Sequence, residues 1–390
     1  MAVLFVRARA FQIVASRRRG DVNGCRKDAR GMQGLEIETT TRTRQRALHE
    51  LIHSFGSVCI GYSGGVDSVY LAQAAVNALG RDRVLAVTGA SAAVPGVQRD
   101  VALACAERIG VRHVEIETDE LRDPNYAANP SNRCYFCKVE LWRRLRAVAD
   151  AHDLAVLADG ANADDAGDYR PGRKAGREHG VRSPLLEVGL TKSEVRALSR
   201  EHGLPTWDQP AAPCLSSRIP YGLTVTPERL GQIEAAEAVL RAAGFRELRV
   251  RHHGASARIE LARSEQARAV ELAHALDREL RALGFSAVLL DVEGYRRGAL
   301  NEGLGRRRSN DANARVGRLA TLVASEGVDA KGVRVAGHER EIAVIEALPS
   351  STPRLASLAP AVRALGFRYV TVDLAATSDR VATALDDDDG

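Results

Sequence analysis

From Ser57 onward the chain alternates short β-prone apolar runs with longer stretches whose apolar residues recur at helical spacing. Strands are expected at 57–60, 84–88, 114–116 and 155–158, and helices at 41–55, 69–79, 97–109 and 140–151. Such alternation builds an α/β fold, a doubly wound parallel sheet with helices on both faces and its ligands beyond the strand C-termini. The segments 61–68, 88–95 and 159–168 each follow a strand, so they are expected to converge on one crevice.

After Pro227 the pattern changes to helix, strand, strand, helix, strand: a helix to 243, strands at 247–252 and 258–262, a long helix to 283 and a strand at 287–292. This is a small α+β unit, and the end of the chain echoes it. Val333-Arg334-Val335 matches Val250 and its flanking arginines, 342–348 matches 259–262, 363–367 repeats 281–285, and 369–374 matches 287–292. In that alignment Ala336 takes the place of Arg251, so the copy is expected to serve an interaction or structural role. The expected organisation is an Arg-rich disordered extension (1–40), the doubly wound domain (41–222), the α+β domain (223–302), a polar linker (303–314), the degenerate repeat (315–380) and an acidic tail (381–390). Met32 stands just before the first convincing helix and is an alternative start.

With 390 residues, 45% hydrophobic and 27% charged, the chain reads as a soluble globular protein of about two or three domains. No apolar run approaches the ~18 residues of a membrane-spanning helix, and a cytoplasmic location is expected. The net charge of +5 is modest and spread out, which suits a phosphorylated small molecule better than a nucleic-acid track. Six cysteines do not make a disulfide framework in a chain of this size. Cys25, Cys59 and Cys105 are scattered, and Cys59 in a strand and Cys105 in a helix are expected to be buried packing.

The candidate chemistry begins at Gly61-Tyr62-Ser63-Gly64-Gly65-Val66-Asp67-Ser68, on a strand-to-helix turn. Gly64 and Gly65 let the backbone approach an anion, and the first N–H groups of the following helix point at the same spot. The turn lacks the Gly-Lys-Ser/Thr ending of a Walker loop. It is similar to the S-G-G-x-D-S loop of enzymes that cleave ATP to AMP and pyrophosphate, with Ser63, Gly64, Gly65, Asp67 and Ser68 as ATP-binding candidates and Asp67 as a magnesium ligand. The alternative is an ordinary glycine-rich turn with a helix cap. In the acidic loop 159–172, Asp164 or Asp165 is placed near the metal and Arg170 near an anion, against the reading of a solvated turn. Thr191 and Glu194 form a capping box, with Lys192 in a helical first turn that disfavours cations unless a phosphate is bound.

A Cys-x-x-Cys pair, Cys134 and Cys137, is joined by Cys214 in a loop bounded by prolines. Three thiolates can hold three irons of a 4Fe-4S cluster and leave the fourth open. Zinc with His152 or His179, a reversible dithiol, or plain packing are the alternatives. Arg249 and Arg251 share one strand face and could clamp a phosphate, or lie on a solvated face.

Together, S-G-G-V-D-S, N-R-C-Y-F-C-K, D-G-A-N-A-D-D with Y-R-P-G, L-T-K-S-E-V-R and C-L-S-S-R-I-P-Y-G resemble the LarE family, ATP-dependent sulfur transferases of nickel-pincer nucleotide biosynthesis within the PP-loop, adenine nucleotide alpha hydrolase-like superfamily. The resemblance runs from about Thr41 to Glu302 and leaves the rest of the chain outside it. It implies adenylation of a carboxylate of pyridinium-3,5-biscarboxylic acid mononucleotide, then displacement of AMP by sulfur. In some members the cysteine matching Cys214 gives up its sulfur; members with the extra pair are thought to hold a 4Fe-4S cluster on the three cysteines, which is the version expected here. The resemblance also implies Arg218, Arg249 and Arg251 as substrate ligands, Glu237 and Glu260 as metal-site candidates near a subunit contact, a homo-oligomer, and other nickel-pincer biosynthesis enzymes as partners. Two rivals are a tRNA thiolase of the same superfamily and a non-catalytic adenine-nucleotide sensor. Only 4% aromatic residues and no dense basic stripe speak against the first; Asp67, Lys192 and Cys214 together speak against the second.

Overall fold

The structure, a computed structural model, describes residues 39–166, 171–210, 212–296, 312–347 and 351–375. Most of the extension, Cys25, Arg170, most of the linker and the acidic tail lie outside the described residues.

Helix α1 (Thr39–His53) leads into β1 (Val58–Gly61), α2 (Val66–Leu79), β2 (Val84–Ala90), α3 (Gly96–Ile109) and β3 (Arg112–Glu117). The short α4 (Pro124–Ala127) and the long α5 (Arg133–Ala151) precede β4 (Val156–Ala158), followed by α6 (Pro171–Glu178), α7 (Pro184–Glu187) and α8 (Lys192–Glu201). The four strands are parallel in the order β3-β2-β1-β4. Alternation along each strand sends side chains to opposite faces. Val58, Ile60, Val84 and Ala86 therefore pack with residues of α1, α2, α3 and α8, while Cys59, Leu85, Val87 and Leu157 pack with Trp142, Leu145 and Ala149 of α5 and Ala175 of α6. Helices cover both faces, as the strand-helix alternation implied. Cys59 and Cys105 are buried, and burial pushes the Cys59 thiol up to about 12.

One boundary differs in a way that bears on chemistry. Helix α5 begins at Arg133, seven residues ahead of the expected start, so both cysteines of the pair sit on its opening turns.

A second sheet follows α9 (Pro227–Ala242). Its elements are β5 (Leu248–His253), β6 (Ser256–Leu261), α10 (Gln266–Glu271), α11 (Ala273–Ala282) and β7 (Ala287–Asp291), then α12 (Ala312–Ser325), β8 (Ala330–Ala336), β9 (Ile342–Ala347), α13 (Thr352–Ala364) and β10 (Tyr369–Asp373). The single long helix expected before 283 is two, because the backbone leaves helical geometry at Leu272 (φ −95°, ψ 9°). The strand order is β5-β6-β7-β10-β9-β8. Each half is an antiparallel pair followed by a parallel one, and the halves meet at an antiparallel β7–β10 seam with Leu290 opposite Val372.

This register corrects the sequence alignment of the two halves. Val250 faces Ile259 and Arg251 faces Arg258, just as Val333 faces Ile345 and Arg334 faces Val344. Arg334, not Ala336, occupies the place of Arg251, and Gly332 opposite Glu346 occupies that of Arg249 opposite Glu260. The Arg251–Glu260 ion pair at 2.8 Å has its counterpart in Arg334–Glu346 at 3.4 Å.

A buried polar network crosses the seam. His253 and Glu341 bond at 2.7 Å, and the Arg258 guanidinium lies 3.6 Å from the centre of the Tyr369 ring. Burial holds His253 below its ordinary pKa and His252 down at about 4, while Glu341, chiefly through its His253 bond working against burial, sits at about 2. All three shifts have one sign. The folded state releases protons that the unfolded state holds, so stability is full above the ordinary histidine value and declines as pH falls, first through the histidines and then through Glu341. Denaturant midpoints measured from pH 8 to 3 are expected to fall steadily below about 6.5; a midpoint that rises on acidification would contradict this. Among the described residues no helix is long and apolar enough to cross a membrane.

Candidate active site

Strand β1 ends at Gly61 and α2 starts at Val66, so four residues turn the chain from sheet to helix. Gly64 sits at φ +71°, and a Cβ there would stand 2.8 Å from the Cβ of Ala102 on α3. Gly65 caps α2 without a side chain, which leaves the first helical N–H groups to an anion. The Ser63 N–H donates to Ser68 Oγ at 3.2 Å, and Ser68 Oγ donates to the Gly65 carbonyl at 3.1 Å, closing the loop on itself. The acidic loop after β4 lies against it: a Cβ on Gly160 would be 2.9 Å from the Ser68 nitrogen. Gly64→Ala is expected to lower ATP affinity at least about tenfold and to cost about 1–2 kcal/mol of stability. Gly56→Ala, at φ +70° in open space, is the control that loses stability and keeps affinity; equal nucleotide binding by the two variants would sink the cradle reading.

Lys192 forms a salt bridge with Asp67, and its N–H donates to Asp164 Oδ2 at 3.0 Å. The objection to a cation in a helical first turn is thus met by Asp67 itself. The expected capping box is present: the Thr191 N–H reaches Glu194 Oε2 at 2.8 Å, and the Glu194 N–H reaches Thr191 Oγ1 at 3.3 Å. Asp67 also accepts from Asn162 Nδ2 at 3.2 Å. Asp165 is buried and caps its own turn through the Asn162 N–H at 3.1 Å, so of the two neighbouring acids it is Asp164 that stands by Lys192.

Ser63 also lines a cavity of about 280 Å³, as do Gly61 and Tyr62. Thr88 and Gly89 from the end of β2 line it, and so do Cys134 and Cys137 of α5 and Cys214. The three distant thiols therefore share one chamber. Cys134 is exposed, whereas Cys137 and Cys214 are half-buried. Burial pushes the Cys137 thiol up, with Glu120 and Cys214 adding to it, and burial with Cys214 and Cys137 does the same to the Tyr126 hydroxyl.

Residues that motif reading passed over hold these segments together. Asn129, buried and at φ +55°, donates through Nδ2 to the carbonyls of Pro220 (2.7 Å) and Leu223 (2.9 Å) and accepts from Arg133. Tyr126 Oη bonds Ser216 Oγ at 2.6 Å, and the Arg133 guanidinium lies over the Tyr221 ring. The cysteine pair and the Cys214 loop are thus tied across about ninety residues of chain. An Asn-Pro dipeptide is a turn signal, but nothing local names the partners of Asn129.

Behind the Cys214 loop lies a buried set of ion pairs. Arg218, 2% exposed, bonds Glu237 at 2.8 Å and donates to the carbonyls of Pro213 (2.5 Å) and Cys214 (3.1 Å). Arg251 pairs with Glu260 and donates to the Ser217 carbonyl at 2.8 Å. Arg249 shares the strand face of Arg251, and its guanidinium donates to the Leu248 carbonyl at 2.6 Å and lies over Tyr295. Glu237 and Glu260 are each matched by two guanidinium groups, Arg218 and Arg241 for the first, Arg251 and Arg258 for the second. Among the described residues no three His, Cys, Asp or Glu side chains are drawn together to hold a metal ion.

The fold and this turn define the class: a doubly wound α/β protein built to hold a nucleotide at a glycine-rich turn that carries no lysine of its own. Residues 41–207 match the NAD synthase family. The chain is 37% identical over 265 residues, 68% of its length and 96% of the relative's, to the pyridinium-3,5-bisthiocarboxylic acid mononucleotide synthase of Lactiplantibacillus plantarum. It belongs to that protein's family, the LarE family. An uncharacterized protein of Synechocystis sp. is 44% identical over 259 residues, 65% of this chain and 96% of that one. Among solved structures, the NMN synthetase of Francisella tularensis aligns with 45% of this chain and 76% of its own, at 18% identity and a TM-score of 0.36.

Proposed function

We propose that this protein is an ATP-dependent sulfur transferase that converts pyridinium-3,5-biscarboxylic acid mononucleotide to its thiocarboxylate in nickel-pincer nucleotide biosynthesis. One observation carries the reading beyond family membership: the phosphate turn, at Ser63, and all three thiols, Cys134, Cys137 and Cys214, line a single cavity. A carboxylate oxygen is a poor leaving group. Attack of the substrate carboxylate on ATP expels pyrophosphate and makes a mixed anhydride with AMP; a sulfur nucleophile then forms the C–S bond, and AMP leaves with the C–O electron pair.

In this reading the backbone from Ser63 to Gly65, with Ser68, cradles the phosphates, Lys192 neutralises them from α8, and Asp67 with Asp164 holds magnesium. Arg249 and Arg251, on one strand face, and Arg218 are the candidates for the substrate phosphate, and Arg218 and Arg251 also hold the Cys214 loop. The three cavity thiols suit a 4Fe-4S cluster in the chemistry of their donor set, and Cys134, Cys137 and Cys214 would be the residues to hold it, with the fourth iron left to another ligand. When bound, such a cluster would supply a place to carry an additional sulfide. The proposed working form is a cytoplasmic homo-oligomer that passes its product to other nickel-pincer biosynthesis enzymes.

The test is anaerobic incubation with ATP, magnesium and the dicarboxylate nucleotide. Pyrophosphate release that depends on this nucleotide, with sulfur appearing in the product by mass spectrometry, is expected. Iron and acid-labile sulfide in the purified protein, with Cys214 intact after turnover, would mark the cluster version. Release that depends instead on tRNA would replace the reading with the RNA-thiolating one.

A further inference from the structure

Resting on the sulfur-transfer reading, we infer that Glu120 is a catalytic residue of the second step, accepting the proton of the sulfur nucleophile as it attacks the adenylated carboxylate. Glu120 opens the short turn that follows β3, at the strand end where the ligands of a parallel sheet collect. It lines the same cavity as Cys134, Cys137 and Cys214 and is the sole carboxylate among the described lining residues, which include no histidine. The side chain is 3% exposed.

One oxygen is committed and the other is not. Ser91 Oγ donates to Oε1 at 2.6 Å, while Oε2 is buried with no hydrogen-bond donor among the described residues. A buried carboxylate oxygen left so costs of the order of 1–3 kcal/mol, a cost retained at sites that use the group. The neighbouring backbone aims it. Ser91 Oγ also accepts the Ala93 N–H at 3.2 Å, and the Ala93 carbonyl accepts the Leu215 N–H at 2.8 Å, so a short turn fixes Glu120 relative to Cys214. Other cavity groups are engaged: Tyr126 Oη is bonded to Ser216, and Lys138 Nζ lies over the Trp142 ring.

The step balances. The S–H bond of a thiol or hydrosulfide breaks and its proton passes to Glu120 Oε2; the sulfur electron pair forms the C–S bond; AMP departs with the C–O pair. Glu120 then loses the proton to water. Hydrosulfide gives the thiocarboxylate directly, whereas the Cys214 thiol gives a thioester on the protein, and protein mass spectrometry separates the two sources.

Glu120→Gln keeps the volume and an acceptor for Ser91 but cannot take a proton. In a single turnover, pyrophosphate release within about twofold of the unaltered protein is expected, with thiocarboxylate formation lowered roughly 10²–10⁴-fold. Glu120→Ala should be similarly impaired and partly restored by added formate, which a merely structural role would not show. Glu120→Asp retains a carboxylate and should stay at least about tenfold more active than the glutamine variant, which keeps the test informative if the others fold poorly. Thiolation by Glu120→Gln within threefold of the unaltered protein, or equal loss of both steps at an unchanged unfolding midpoint, would overturn the role. Failure of the unaltered protein to release pyrophosphate with the dicarboxylate nucleotide would instead overturn the sulfur-transfer reading, and this role with it.

Discussion

Cys214→Ala is expected to abolish thiocarboxylate formation, by more than about 10³-fold as for loss of a nucleophile, while pyrophosphate release persists in a single turnover. The loop does not depend on the sulfur for its shape. The Cys214 carbonyl accepts from Arg218 at 3.1 Å and from Ser217 Oγ at 2.7 Å, and the next residue's N–H is held by Ala93. Among the described residues the hydrogen bonds that close the phosphate turn run among Ser63, Gly65 and Ser68 and not to this side chain, so binding and adenylation should survive. Parallel measurements on Cys134→Ala and Cys137→Ala separate the two sulfur sources. Equal loss in all three, together with loss of iron, fits the cluster; loss in Cys214→Ala alone fits a sacrificial thiol. Full thiolation by Cys214→Ala would remove the site from consideration.

Glu237→Ala is expected to have the largest effect on stability, about 3–5 kcal/mol, because it strands a guanidinium in the interior. Arg218 is 2% exposed and Glu237 fully buried, with Nε to Oε1 at 2.8 Å. Arg241 leans on the same carboxylate at 2.8 Å, and the Val250 N–H donates to it at 3.3 Å. Replacing both buried partners, as in Arg218→Met with Glu237→Leu, should recover much of the loss, since the one guanidinium then left without its carboxylate, Arg241, is 35% exposed and can turn to water. Urea midpoints give the comparison. A double variant no better than Glu237→Ala would show that the bonds from Arg218 to the Pro213 and Cys214 carbonyls matter more than the ion pair.

The parts legible in the sequence are those whose chemistry is local. The phosphate turn could be read because Gly64 needs φ > 0 and Gly65 begins a helix, both properties of neighbouring residues. The capping box at Thr191 and the strands of the first sheet are of the same kind. The start of α5 was not, because Arg133 to Lys138 has no side-chain cap and mixes aromatic, polar and basic positions without a clear stripe. Asn129 and Glu120 went unnoticed for a different reason: their meaning lies in contacts with loops far along the chain. The alignment of the two halves of the second sheet slipped by two residues. Such a slip keeps every side chain on its original face, so alternation cannot reveal it, and the irregularity at Ala330/Gly332 adds to the ambiguity.

The β7–β10 seam has a practical corollary for anyone trimming this chain to the length of its shorter relatives. Without residues 312–375 the main-chain groups of Thr371 to Asp373 would be gone from beside Leu289 to Asp291, baring a ready-made template for foreign strands. Arg258 would lose its aromatic cover and His253 its acidic neighbour at the same stroke. A shortened form is therefore expected to self-associate or precipitate, and poor behaviour of such a fragment would speak about a bared edge rather than about catalysis.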